Sequence, residues 1–179
     1  VVAIGEIGDK TQLLALMLSA RFRRPVPIIL GILCATLLNH ALAGLLGGWI
    51  RSAIGPGTLR WALGISFLAI AAWALKPDTI DGEPKDTGKY GAFAVTLVAF
   101  FLAEIGDKTQ FATIALAARF DSLVAVVTGT TAGMLLADVP AVYLAGRAST
   151  RIPFNAIRYV AAALFAVMGV AALAGIGFG

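Results

Sequence analysis

Glu6, Asp9, Glu104 and Asp107 are four carboxylates set in apolar sequence, and they come as two identical pairs. The stretch Glu6-Ile7-Gly8-Asp9-Lys10-Thr11-Gln12 recurs letter for letter as Glu104-Ile105-Gly106-Asp107-Lys108-Thr109-Gln110. Residues three apart on a helix share a face, so each copy can present two carboxylates to one point. Gly8 and Gly106 remove bulk between the acids and make local unwinding cheaper. Thr11, Gln12, Thr109 and Gln110 add neutral oxygens one turn on. A set of oxygen ligands suits hard cations such as calcium, magnesium and manganese, whereas zinc and copper favour imidazole and thiolate. The chain holds a single His and a single Cys. Four carboxylates against Lys10 and Lys108 leave two net negative charges, which a divalent ion would neutralise and which protons could neutralise when the ion leaves. The metal ligands expected are therefore Glu6, Asp9, Glu104 and Asp107, with the two lysines balancing charge and the Thr and Gln side chains lining the site.

The elements that carry these groups must lie in a membrane. Hydrophobic residues make up 59% of the 179 and charged ones 13%, with a mean hydropathy of +0.90, outside the range of soluble globular chains. At about 20 residues per crossing there is room for six helices and for no soluble domain. Apolar runs between polar punctuation predict helices over 1–20, 26–50, 59–75, 92–118, 123–146 and 157–176. An ionised side chain near the bilayer centre costs roughly 2.5 to 3.5 kcal/mol on insertion scales. Charges placed there twice over must pair with one another or handle something that crosses.

An offset of 98 also aligns Arg21-Phe22 with Arg119-Phe120, Gly31 with Gly129, Gly48 with Gly146, Arg60 with Arg158 and Phe67 with Phe165. The expected fold is thus an all-α integral membrane protein of six transmembrane helices in two three-helix repeats. Residues 1–75 form the first repeat, 76–91 a polar linker and 92–179 the second repeat. Three crossings per repeat invert the second relative to the first, the usual plan of secondary transporters, with the site where the halves meet. Five residues precede Glu6 whereas twelve of the fourth helix, Ala92 to Ala103, precede Glu104, so the first helix is expected to lack its start by about ten residues. Arg21, Arg23, Arg24, Lys76, Lys85, Lys89, Arg147, Arg151 and Arg158 fall on one side, and Arg51, Arg60 and Arg119 on the other. Positive charge favours the inside, which makes the linker cytoplasmic.

A doubled Glu-x-Gly-Asp-Lys-Thr motif on the first and fourth of six helices resembles the Gdt-type calcium and manganese antiporters. The resemblance covers nearly the whole chain, and both copies match fully. It implies exchange of a divalent cation for protons at Glu6, Asp9, Glu104 and Asp107, with manganese export from the bacterial cytoplasm across the inner membrane as the expected direction. The ion is cargo, and no cofactor is expected.

Other residues are less decisive. His40 aligns with Asp138, both titratable and both in apolar settings, so they could relay protons; equally, Asn39 and His40 could bond across a helix interface. Gly44 with Gly48 and Gly129 with Gly133 make faces for close helix packing. Cys34 stands alone and carries no redox reading. Trp49, Trp61 and Trp73 fall near helix ends, as interfacial anchors do. A net charge of +4 is explained by topology, without nucleic acid, and no nucleotide fingerprint supplies an ATPase. Two rivals stand beside cation exchange: export of a small organic cation or amino acid, and intramembrane metal-assisted hydrolysis. The mirrored doubling argues against an enzyme, since an active site needs no inverted symmetry. Oligomeric state is open.

Overall fold

The computed structural model describes residues 1–76, 91–145 and 154–176, with the backbone alone at Phe154. All its regular elements are helices: α1 (Val2–Glu6), α2 (Lys10–Phe22), α3 (Pro25–Ala53), α4 (Pro56–Ala74), α5 (Ala92–Glu104), α6 (Lys108–Arg119), α7 (Leu123–Leu144) and α8 (Phe154–Leu173). Prolines open α3 and α4 at their first turns, where the missing amide costs nothing and the fixed φ favours the helix. Ser122 caps α7, its hydroxyl accepting from the Ala125 amide at 3.2 Å. Among the described residues four helices are long and apolar enough to cross a membrane: α3, α4, α7 and α8 from Asn155.

The sequence led us to expect continuous helices over 1–20 and 92–118, and the structure corrects this. Each is broken at the repeated motif into two shorter helices, α1 and α2 in one case, α5 and α6 in the other. The cause is local. Gly8 has φ 82° and Gly106 φ 74°, the left-handed region in which a Cβ is penalised, so both glycines turn the chain out of the right-handed helix.

Packing is reciprocal between the halves. α5 and α6 lie along α3, whereas α1 and α2 lie along α7; α4 packs on α8. Close approach depends on small residues, as membrane helix interfaces require. Gly31 faces Thr96 and the Phe93 carbonyl, Gly47 faces the Ile114 carbonyl, and Gly133 faces Val2 and Ala3. Gly64 and Gly169 bring α4 and α8 together, each against the other's backbone carbonyl. Of the glycines expected on such faces, Gly44 meets Leu123 and Gly133 meets α1, but Gly48 and Gly129 look onto open space. Phe67 and Phe165, equivalent by the offset of 98, are both buried in the cluster around α4 and α8. A second cluster joins α2, α3, α5 and α7 through Leu18, Ile28, Ile32, Phe100 and Val142.

Leu42, Leu45, Val124, Leu136 and Val167 are exposed, an outward apolar surface that fits lipid, where every backbone group must be satisfied within the helix. Trp49, Trp61 and Trp73 also face outward, Trp49 and Trp73 near the C-terminal ends of α3 and α4 and Trp61 near the start of α4. Most of the linker, with Lys85 and Lys89, and the residues Arg147 and Arg151 lie outside the described residues.

Candidate cation site

Both helix breaks have the same backbone. Ile7 (φ −68°, ψ 116°) and Ile105 (φ −62°, ψ 120°) are extended, the two glycines are left-handed, and Asp9 and Asp107 begin the next helices as N-caps. The amides this turn would strand are met by the last residue of each motif: Gln12 Oε1 accepts from the Gly8 N–H at 2.8 Å and Gln110 Oε1 from the Gly106 N–H at 2.9 Å. Non-helical backbone at membrane depth is viable when its polar groups are satisfied in this way. It also aims helix ends at one place. α1 and α5 arrive with their carbonyl ends and α2 and α6 leave with their amide ends, where a capping carboxylate is favoured by the helix dipole. The two glutamine oxygens, expected as lining groups, are therefore engaged in the breaks themselves.

At the junction Glu6, Asp9 and Asp107 converge, all buried, each offering an oxygen within 4.8 Å of the others. Two oxygens on opposite sides of a calcium ion at about 2.3–2.6 Å are about 4.6–5.2 Å apart, so this trio can share one divalent ion. Glu6 is gripped from both motifs: Oε2 accepts from Thr11 Oγ1 at 2.7 Å, and Oε1 accepts from Thr109 Oγ1. The lysines cross over. Lys10 Nζ lies 3.2 Å from Asp107 Oδ1, and Lys108 Nζ lies 3.4 Å from Asp9 Oδ1. A purely sequence-local reading would pair Glu6 with Lys10 and Glu104 with Lys108 four residues on; instead each lysine meets the aspartate of the other motif.

Glu104 is buried but is not grouped with the trio. Its Oε1 accepts from Thr36 Oγ1 of α3 at 2.7 Å, while Oε2 has no hydrogen-bond partner among the described residues. Asn39 is within hydrogen-bonding reach of Glu104 and donates to the Phe101 carbonyl at 3.1 Å; its own Oδ1 is 3.4 Å from Gln110 Nε2. His40 is buried, with Nδ1 3.4 Å from Thr131 Oγ1 on α7. Asp138 is wholly buried on α7, neither oxygen hydrogen-bonded among the described residues. Thr36 and Thr131 are the contacts the sequence reading missed. Thr36 had a signal, since it precedes Asn39 and His40 by three and four residues and so shares their face of α3.

Compared with known proteins, the sequence matches the family described as divalent cation/proton antiporter GDT1 over residues 1–82 and 92–176. The chain belongs to this family. Divalent cation/proton antiporters are transporters, which sets aside the intramembrane enzyme, and their cargo sets aside the organic cation or amino acid. A relative named "Putative manganese exporter" from Vibrio cholerae serotype O1 is 50% identical over 171 residues, 95% of this chain and 85% of the relative. "Protein PAM71-homolog, chloroplastic" from Arabidopsis thaliana is 28% identical over 211 residues, 98% of this chain and 57% of that protein. No solved structure matches the chain. Three carboxylates removed from water together are costly unless opposite charge repays them, and the two lysines meet the aspartates by ion pairing.

Proposed function

We propose that this antiporter exports manganese across a bacterial inner membrane, exchanging it for protons at a site built on Glu6, Asp9 and Asp107, with Glu104 beside it. The observation that carries this reading is the convergence of three buried carboxylates from the two copies of the motif within 4.8 Å of one another. The 50% identical relative's name supports manganese over calcium as the cargo. Thr11 and Thr109 orient Glu6, and Lys10 and Lys108 balance the aspartates while the cation is away. In this reading residues 1–75 and 92–179 are two inverted three-helix repeats, each crossing with one broken and two continuous helices, joined by a cytoplasmic linker over 76–91. Matching backbone at the two breaks, reciprocal packing on α3 and α7, and the crossed lysine pairs all support a twofold relation. Alternating access then works by one half rocking against the other around ligands that both halves supply.

The test is internal pH in proteoliposomes on external addition of manganese, then calcium. Proton efflux driven by manganese in the native protein, and lost in Glu6→Gln, is the expected result. Manganese uptake with no proton movement would sink the exchange, and undiminished flux in Glu6→Gln would sink the site.

A further inference from the structure

Opposite the first break stands a carboxylate that the motif does not contain. α1 meets α7 where Val2 and Ala3 abut Gly133, and α2 meets it where Gln12 Nε2 donates to the Ala137 carbonyl at 3.0 Å and Ser19 Oγ to the Val142 carbonyl at 2.6 Å. The chain between, Ile7 to Asp9, therefore crosses α7 between Gly133 and Ala137, the residue before Asp138. Asp138 is 0% exposed, and neither of its oxygens has a hydrogen-bond donor among the described residues. An ionised carboxylate has about four acceptor positions to satisfy, and leaving them unmet in an apolar helix is expensive. It is not one of the three carboxylates whose oxygens lie within 4.8 Å of one another, but its charge is felt by Glu6, Asp9 and Glu104, which puts it in the surroundings of the trio, a short ligand movement from the cation. Two residues on, Pro140 removes the amide that would bond the Leu136 carbonyl, leaving α7 pliable just there.

We infer that Asp138 is a further ligand of the transported divalent cation, contributed by α7 from across the first helix break. This rests on the reading of the trio as the cation site. The equivalent position on α3 is His40, whose ring meets Thr131, so this ligand belongs to one half only. The cation site is then asymmetric in donors although its two motifs are identical.

Ligand exchange at this position tests the inference in the full-length purified protein, with the metal alone as probe. Asp138→Asn is isosteric, and its manganese affinity should fall about tenfold or more, at least the loss that follows when a ligand's outer partner is removed. Asp138→Cys, made with Cys34→Ser to remove the other thiol, should lose manganese but gain cadmium, because thiolate selects soft ions. A thiolate-to-cadmium charge-transfer band should appear in the short-wavelength ultraviolet difference spectrum with binding. Manganese binding of native strength in Asp138→Asn overturns the inference. So does loss of manganese in Asp138→Cys with neither cadmium gain nor the absorption, which would mean that the residue acts through the fold. Glu6→Gln run in parallel separates the two readings: if it too binds manganese normally, the trio itself is not the site.

Discussion

The two helix breaks share seven residues and the same backbone, yet their glutamates live in different surroundings. Glu6 takes hydroxyls from Thr11 and Thr109, one from each motif, and joins Asp9 and Asp107. Glu104 takes its hydroxyl from Thr36 on α3 and keeps one oxygen free of hydrogen bonds among the described residues. The motif dictates the turn, because left-handed glycines and a glutamine that caps them are local devices. The helix lying across each break dictates the rest. Across from Glu104 α3 brings Thr36 and Asn39, with His40 next along the helix turned to Thr131; the equivalent positions on α7 are Met134, Ala137 and Asp138. Identical motifs thus sit in unlike surroundings, set by the helix that faces each.

The largest expected effect separates the glutamates. Glu6→Gln removes a charge from the converged trio, and its manganese affinity should fall by about 100-fold or more, beyond the range typical of an outer partner. Glu104→Gln should cost only about tenfold, the low end of that range. Calorimetric titration of the purified variants measures both. Equal losses would erase the distinction between the halves and return Glu104 to full equivalence.

Much of this arrangement was legible in the sequence, and the remainder fails for identifiable reasons. Apolar runs gave α3, α4, α7 and α8, because hydropathy reports directly on what a continuous spanning helix needs. Gly8 and Gly106 hinted at unwinding, but a face shared by Glu6 and Asp9 presumed a helix that the structure breaks between them. The lysines were expected to balance charge, but their partners could not be read: spacing of four residues points to Glu6 with Lys10, whereas the aspartate partners lie 97 and 99 positions away. No local pattern encodes such a pairing; only the meeting of two breaks does. Thr36 went unseen because a lone threonine in an apolar helix usually bonds its own backbone.

The crossed lysines offer a second way to sharpen the comparison. Lys108 has 10% of its side chain exposed and Lys10 27%, so the ammonium facing Asp9 is the better shielded from water. Removing one partner of a buried ion pair costs about 3–5 kcal/mol, because the remaining charge is left uncompensated. Lys108→Met should lie near the top of that range and Lys10→Met near or below its bottom, read by reversible unfolding in mixed micelles. The reverse order would mean that water reaches the first break more freely than the second.

The smallest difference concerns the capping glutamines, which do the same local task with different anchors. Gln12 bonds the Gly8 amide at 2.8 Å and reaches the Ala137 carbonyl at 3.0 Å, while Gln110 bonds the Gly106 amide at 2.9 Å but reaches Asn39 at only 3.4 Å. Either change to leucine strands a glycine amide, an equal loss on both sides. Gln12→Leu also gives up a second well-formed bond, worth about 0.5–1.5 kcal/mol net, and should be the more destabilising of the two by about that amount. The anchor it loses is on α7 next to Asp138, so Gln12→Leu should also weaken manganese binding more than Gln110→Leu does. If stability differs and affinity does not, the tether to α7 holds the fold without setting the site. If both differ, the helix facing each break governs what the shared motif can bind.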